Sequence, residues 1–269
     1  MNWSVWIKLF QRKEKVLNSI INVVRSCGNI IKEVSADNVN IKNDNPKNLV
    51  TEYDTKVQEV LKNELRQILP EASFLGEEGE QHYSKSGFCF VCDPIDGTCN
   101  FVKNLKHSGI SVALLKDGQP MLGVIYNPYL DEMFWAERGK GAFCNGKSIH
   151  TSIEPLENSL IVFGTSPYNE SLHSKTWELA IKSLKLGLDV RRLGAAVLDL
   201  TCVAKGCFGL YWELEIQPWD YAAGILIAEE AGAIVRTIDN KEIKDCFSAT
   251  SIAVYANNSC LQSWNNFKL

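Results

Sequence analysis

Phe88-Cys89-Phe90-Val91-Cys92 runs without a break into Asp93-Pro94-Ile95-Asp96-Gly97-Thr98-Cys99-Asn100-Phe101. Five apolar residues in succession are the pattern of a buried strand. Polar residues at the end of a core strand occupy the place where α/β proteins put their sites. Pro94 fixes one backbone angle and Gly97 permits a sharp turn, so Asp93 and Asp96 can point at one spot instead of diverging. Two carboxylates held that close repel unless a cation lies between them. A plainer alternative, a turn in which Asp96 caps a following helix, fits the segment taken alone equally well.

Upstream, residues 14–34 place Val16, Ile20, Val23, Val24, Cys27, Ile30 and Ile31 on one helical stripe. A second helix fits Asp54 to Leu69, with Val57, Val60, Leu61, Leu65 and Ile68 on one face and Pro70 as its stop. On this reading two long helices precede any strand. Downstream come β-like runs at Gly109 to Leu115, Met121 to Tyr126 and Glu132 to Glu137, separated by turn signals such as Lys116-Asp117-Gly118. They suit an antiparallel meander. Beyond Pro155 strand-like runs alternate with helices at Lys175 to Leu186, Ala196 to Ala204 and Asp220 to Ala231. The expectation is a layered α+β or α/β architecture, with an N-terminal lobe over 1–155 and a C-terminal lobe over 156–269.

Two further acidic segments lie far from the first. Gly76-Glu77-Glu78-Gly79 sits between the second helix and the strand, and its bland reading is a solvated loop. Pro218-Trp219-Asp220-Tyr221-Ala222-Ala223-Gly224 has Asp220 opening a helix, where an N-terminal cap is the ordinary role. Each bland reading is plausible singly; the joint occurrence of all three segments, in this order, favours a site.

Composition narrows the rest. Among 269 residues, 45% hydrophobic and 22% charged content are those of a globular protein, and a net charge of −4 with interspersed signs gives no sign of a nucleic-acid or membrane-surface partner. Residues 1–10 are too short and broken an apolar run for a signal peptide or a membrane span, so a cytoplasmic location is expected. Nine irregularly spaced cysteines argue for reduced thiols. Cys89 and Cys92 have Cys-x-x-Cys spacing but lie inside the apolar run, where core packing is the natural role. The four histidines form no ligand pattern.

With these motifs assembled, the chain resembles the inositol monophosphatase family, whose signatures are similar to Asp93–Phe101 and Trp219–Gly224 preceded by Gly76-Glu77-Glu78. The resemblance runs nearly end to end, taking in 49–54, 123–128, 139–142 and 193–196. It implies a layered α-β-α-β-α sandwich of the sugar phosphatase type, usually a homodimer. It also implies a Mg²⁺-dependent phosphoric monoester hydrolase acting on a small polyol phosphate, with inositol monophosphate the first expectation. Following the family, Glu77, Asp93 and the Ile95 carbonyl would hold one Mg²⁺ and Asp93, Asp96 and Asp220 a second, with a third ion near Glu77 left open. Activation of the attacking water would fall to Glu77 and Thr98, with Asp54 bonded to the threonine hydroxyl. Backbone N–H groups of Gly97 and Thr98 would cradle phosphate, and Gly194, Ala195, Ala196 and Glu213 would line the substrate pocket. For Glu213 the bland alternative is a surface acid at a strand end.

The family also leaves rivals: a phosphatase for fructose bisphosphate, a nucleotide 3′-phosphate, NADP or histidinol phosphate, or a regulatory binding module that keeps the fold. Lys103, Lys106, Arg191 and Arg192 could meet a second phosphate or simply be solvated or paired. Asn48 stands where the family commonly has Asp, which bears on the weakest metal position and on lithium sensitivity. Lys106 replaces a common proline, and Lys42 is a further residue that could approach the site.

Overall fold

The structure of the chain, a computed structural model, describes residues 3–32, 39–41, 49–79 and 82–267. Asn48, Lys42 and Val34 lie outside the described residues. Two helices begin the chain: α1 (Trp3–Lys32) and α2 (Glu52–Ile68). The expected stripe of α1 is largely inside, with Val16, Ile20, Val24, Cys27 and Ile31 buried; Leu17 joins them. On α2 the face Val57, Leu61 and Leu65 is buried, each side chain contributing about 1.5–3 kcal/mol by leaving water. Thr51 caps α2 in a capping box: its hydroxyl faces the first-turn N–H groups while Asp54 reaches back to the Thr51 N–H at 2.7 Å.

One expectation fails here. The helices do not precede all strands, because β1 (Val39–Ile41) and β2 (Leu49–Thr51) pair antiparallel between them. Strands of three residues are too short to show an alternation pattern.

A seven-stranded sheet follows, in the order β3 (Ser73–Gly76), β4 (Phe88–Asp96), β5 (Gly109–Lys116), β6 (Gln119–Asn127), β7 (Glu132–Glu137), β8 (Ala142–Cys144), β9 (Lys147–Ile149). All neighbours are antiparallel except β3 and β4, which run parallel. The segment before Glu77 is therefore a strand end and not only a loop. On β4, Cys89 and Val91 face one core while Phe90 and Cys92 face the other. Both faces of the sheet are covered, which is why the strand reads as an unbroken apolar run.

Beyond β4 the short helix α3 (Thr98–Val102) begins, and the second half adds β10 (Leu160–Phe163), α4 (His173–Leu186), β11 (Asp189–Arg191), α5 (Ala196–Ala204), β12 (Leu210–Ile216), α6 (Pro218–Glu230), β13 (Ile234–Arg236), β14 (Thr250–Tyr255) and α7 (Asn258–Asn266). Its strands form a mixed five-stranded sheet in the order β11-β10-β12-β14-β13. Layers stack as α1 and α2, the seven-stranded sheet, α5 and α6, the five-stranded sheet, then α4 and α7. This is the α-β-α-β-α sandwich. The larger core crosses residue 155, joining Val91, Ala113 and Ile125 to Leu226, Ala228 and Val254.

The Ala222-Ala223-Gly224 run has a packing cause as well as a place in the signature. Gly123 on β6 lies so near α6 that a Cβ there would stand 2.8 Å from the Ala223 carbonyl oxygen, and a Cβ on Gly224 would strike Leu200 of α5. Small residues bring the helices against the sheet, and with them the N-terminal ends of both helices.

Candidate active site

The end of β4 is built on a miscount. Asp93 pairs with Ser111 and Asp96 with Gly109, so β4 advances three residues while β5 advances two. In a regular strand, residues three apart face opposite sides. The extra residue is a bulge, which returns Asp96 to the side of the sheet that Asp93 faces and leaves Ile95 buried among α1 and α2 side chains. The Asp93 carboxylate accepts the Ile95 N–H at 2.8 Å, which holds the bulge. Gly97 follows at φ +81°, where a Cβ would lie 3.0 Å from the Gly194 carbonyl oxygen and 3.1 Å from the Ala195 Cβ. Only glycine suits both the angle and the space.

Two other elements converge on this point. The Ser111 hydroxyl donates to the Trp219 carbonyl at 3.2 Å, tying β5 to the start of α6. Asp220 is not the cap of α6; it is the third residue of the helix, after Pro218 at the start, with its carboxylate accepting the Gln217 N–H at 3.3 Å. Asp96 likewise does not cap α3, whose cap is Gly97; its carboxylate instead accepts the Val197 N–H at 2.9 Å, at the start of α5. Asn100 fastens the same region, donating to the carbonyls of His107 (2.9 Å) and Leu193 (2.8 Å).

One carboxylate oxygen from each of Asp93, Asp96 and Asp220 lies within 4.8 Å of the others. Burial pushes the Asp93 carboxyl well above the usual range, and Glu77, Asp96 and Asp220 add to the rise. Asp96 is pushed up to about 7 by burial, with the Glu77 and Glu213 charges reinforcing and the Val197 N–H opposing. Asp220 is raised by burial and then by Asp96 and Glu77. Like charges crowded in this way are costly alone and suit a hard divalent cation, which takes oxygen ligands. The donor set, all carboxylate with the Ile95 carbonyl alongside, fits Mg²⁺ better than a softer metal.

Around this cluster opens a cleft of about 470 Å³ lined by Glu77, Thr98, Gly194, Ala195, Ala196 and Glu213 among others. The Glu77 segment is held by Gln58, which accepts the Glu78 N–H at 2.8 Å. The Thr98 hydroxyl lies 3.2 Å from the Ile95 carbonyl and 3.4 Å from Asp54, whose other oxygen accepts the Thr51 hydroxyl at 2.6 Å. The Gly97 N–H faces the Asp96 carboxylate.

Glu213 is not a surface acid. It is buried at the other end of the cleft, accepting the Tyr211 hydroxyl at 2.7 Å and the Ser166 N–H at 2.9 Å. Gly164 lies against its carboxyl with no room for a Cβ. Burial raises its pKa, while Tyr211 and Ser166 pull it down. Arg192 lines the cleft and bonds the Thr165 hydroxyl at 3.0 Å; Arg191 pairs with Asp189, and the Lys106 ammonium sits over the Tyr129 ring. All nine cysteines are free thiols, and Cys89 and Cys92 are core residues.

Sequence reasoning passed over Ser166 and Tyr211, which hold Glu213, and Asp199, which lines the cleft as Ser166 does. The first two act on Glu213 from 47 and 2 positions away, and only the fold joins them. Asp199 did carry a signal, as the single acid in the apolar helix α5.

Comparison with known proteins agrees with this geometry. The sequence profile of the inositol monophosphatase family matches residues 12–266. An inositol-1-monophosphatase of Rhizobium meliloti is 34% identical over 224 residues, covering 82% of this chain and 84% of that protein. The crystal structure of extragenic suppressor protein suhB from Bartonella henselae superposes with a TM-score of 0.85 at 32% identity, covering 93% of this chain and 97% of that one. A structure described as IMPase/NADP phosphatase complexed with Mg²⁺ and phosphate superposes with a TM-score of 0.81 at 28% identity, covering 94% of each chain. With its profile spanning nearly the whole sequence and the fold shared throughout, the chain belongs to the inositol monophosphatase family.

Proposed function

We propose that this protein hydrolyses the phosphate monoester of a small polyol, inositol monophosphate first among them, in a Mg²⁺-dependent reaction. The observation that carries the proposal is the convergence of Asp93, Asp96 and Asp220 within 4.8 Å, at the floor of a cleft whose other end is a buried, oriented carboxyl, Glu213. Glu77, Asp93 and the Ile95 carbonyl would hold one ion, and Asp93, Asp96 and Asp220 another. When bound, such ions acidify a water molecule and offset negative charge on the leaving oxygen.

The remaining chemistry belongs to the chain. Thr98, with Asp54 behind it, aligns the attacking water, and the Glu77 carboxylate is the base that takes its proton. No serine, cysteine or histidine is needed as nucleophile, which suits direct in-line displacement. The Gly97 and Thr98 N–H groups, at the start of α3, would supply donors to phosphate oxygens. Gly194, Ala195 and Ala196 form the wall along which the leaving alcohol lies. Glu213 accepts one of its hydroxyls, held in place by Tyr211 and Ser166.

The proposal extends to a homodimer in the cytoplasm and to an N-terminal lobe over 1–155 that carries most metal ligands; light scattering, cell fractionation and limited proteolysis test these in turn. The function itself is tested by a phosphate-release screen, with Mg²⁺ and with chelator, over inositol phosphates, sugar phosphates, nucleotides and histidinol phosphate. Magnesium-dependent release with preference for a polyol monophosphate is the expected result. Preference for a nucleotide or a bisphosphate would overturn the substrate, and no release from any would overturn the activity.

A further inference from the structure

We infer that Asp199 is a specificity-determining residue that presents a second carboxyl, beside Glu213, to the hydroxyl groups of the leaving alcohol. This rests on the phosphatase reading above.

Among the described residues, three buried side-chain polar atoms have no hydrogen-bond partner: His107 Nε2, Asp199 Oδ1 and the Tyr255 hydroxyl. His107 and Tyr255 are not part of the cleft wall, whereas Asp199 is. Asp199 is 1% exposed, on a helix whose neighbouring Val197, Leu198, Leu200 and Val203 are all buried apolar residues. A carboxyl oxygen in such surroundings is expensive to leave unpaired. Helix formation does not require it, and α5 has no capping use for it, since its own N-terminal Val197 N–H is taken by Asp96. Asp199 lines the ligand cleft, so a ligand donor is what could satisfy its unpaired oxygen.

The charges nearby select the kind of donor. Burial, and then the charges of Asp96 and Glu213, raise the Asp199 carboxyl well above the usual range, with Arg192 opposing. A neutral hydroxyl fits, because it both donates and accepts. Glu213 is already engaged through both oxygens, by Ser166 and by Tyr211, and so is fixed in direction. Asp199 Oδ1 has no such partner. Two carboxyls at one end of the cleft therefore match a polyol with adjacent hydroxyls better than an alcohol carrying one. A site built to bond a hydroxyl discriminates strongly against an alcohol that lacks it, since its polar groups then stay unpaired.

The test compares two leaving groups, inositol 1-phosphate and phenyl phosphate, in the full-length Mg²⁺-loaded enzyme, for wild type, Asp199→Asn and Asp199→Leu. Expected is a fall of about tenfold or more in the ratio of kcat/KM for inositol 1-phosphate to that for phenyl phosphate in Asp199→Leu, chiefly through KM, with Asp199→Asn in between. Because the native Oδ1 is buried and unpaired, the substrate-free Tm of Asp199→Leu should hold or rise. An unchanged ratio overturns the inference. So does a parallel fall for both substrates with a lowered Tm, the mark of a structural residue. If wild type releases no Mg²⁺-dependent phosphate from either ester, the phosphatase reading has failed and this inference falls with it.

Discussion

The two ends of the cleft hold the same functional group in opposite circumstances. At one end Asp93, Asp96 and Asp220 crowd together, each raised by burial and by the others. At the other, Glu213 stands outside that cluster, though its charge still raises Asp96 and Asp220, and it is oriented by a tyrosine and a serine. Carboxylates pressed together make a place for cations, and carboxylates held apart by neutral donors make a place for hydroxyls. Identity of the side chain tells little; its company decides.

That contrast can be broken most severely at the crowded end. Asp96→Asn should lower Mg²⁺-dependent phosphate release by at least about 10²-fold while far-UV circular dichroism stays native. Activity near wild type would remove the cation site from the account. Glu213→Gln should act at the spaced end alone, raising KM for the polyol ester by about tenfold and leaving metal-dependent stabilisation in place. A loss of metal binding in that variant would mean the two ends are one site.

The pH response sharpens the same difference. Asp96 sits near 7 when folded, against an ordinary value of 3.8. Between those values the metal-free folded chain keeps a proton that the unfolded chain releases, so this group's stabilisation is present at low pH and disappears as pH rises through about 7. Protons and cations compete for the same oxygens. The Tm gain on adding Mg²⁺ should therefore be larger at pH 8 than at pH 6, as thermal melts would show; equal gains would contradict it. The smallest effect concerns the hinge between the ends. Gly97→Ala places a side chain at φ +81° against Gly194 and Ala195, and should cost about 1–2 kcal/mol of stability in denaturant unfolding. A neutral result would show that the turn has room the structure does not suggest.

Legibility in the sequence follows the same division. The crowded end was readable because its residues come in compact strings: Asp93 to Phe101 and Trp219 to Gly224 each bring their carboxylates with the proline, glycine and small residues that place them. Helix α5 could be bounded as Ala196–Ala204 from its apolar content alone. The spaced end was not readable in the same way. Glu213 could be placed in the pocket only by resemblance, since its burial depends on Ser166, far off in the chain. Asp199 looks like any lone acid in a helix until the layers close over it. Strands β1, β2, β8 and β9 escaped notice because three residues carry little periodicity; β11 and β13, equally short, were legible only inside the longer strand-like runs 189–193 and 233–236, and β3 was hidden because the glutamates after it read as a solvated turn.

The miscount between β4 and β5 also sets what kind of sequence change the protein can absorb. Swapping one residue at positions 94 or 95 alters a contact, whereas removing one takes out the bulge itself: residues two apart in a regular strand share a face, so Asp96 would stay on the side of Asp93 but without the Ile95 N–H bond to Asp93 that now holds the turn. The spacing itself, three positions from the first aspartate to the second, is thus inherited information on a par with the aspartates.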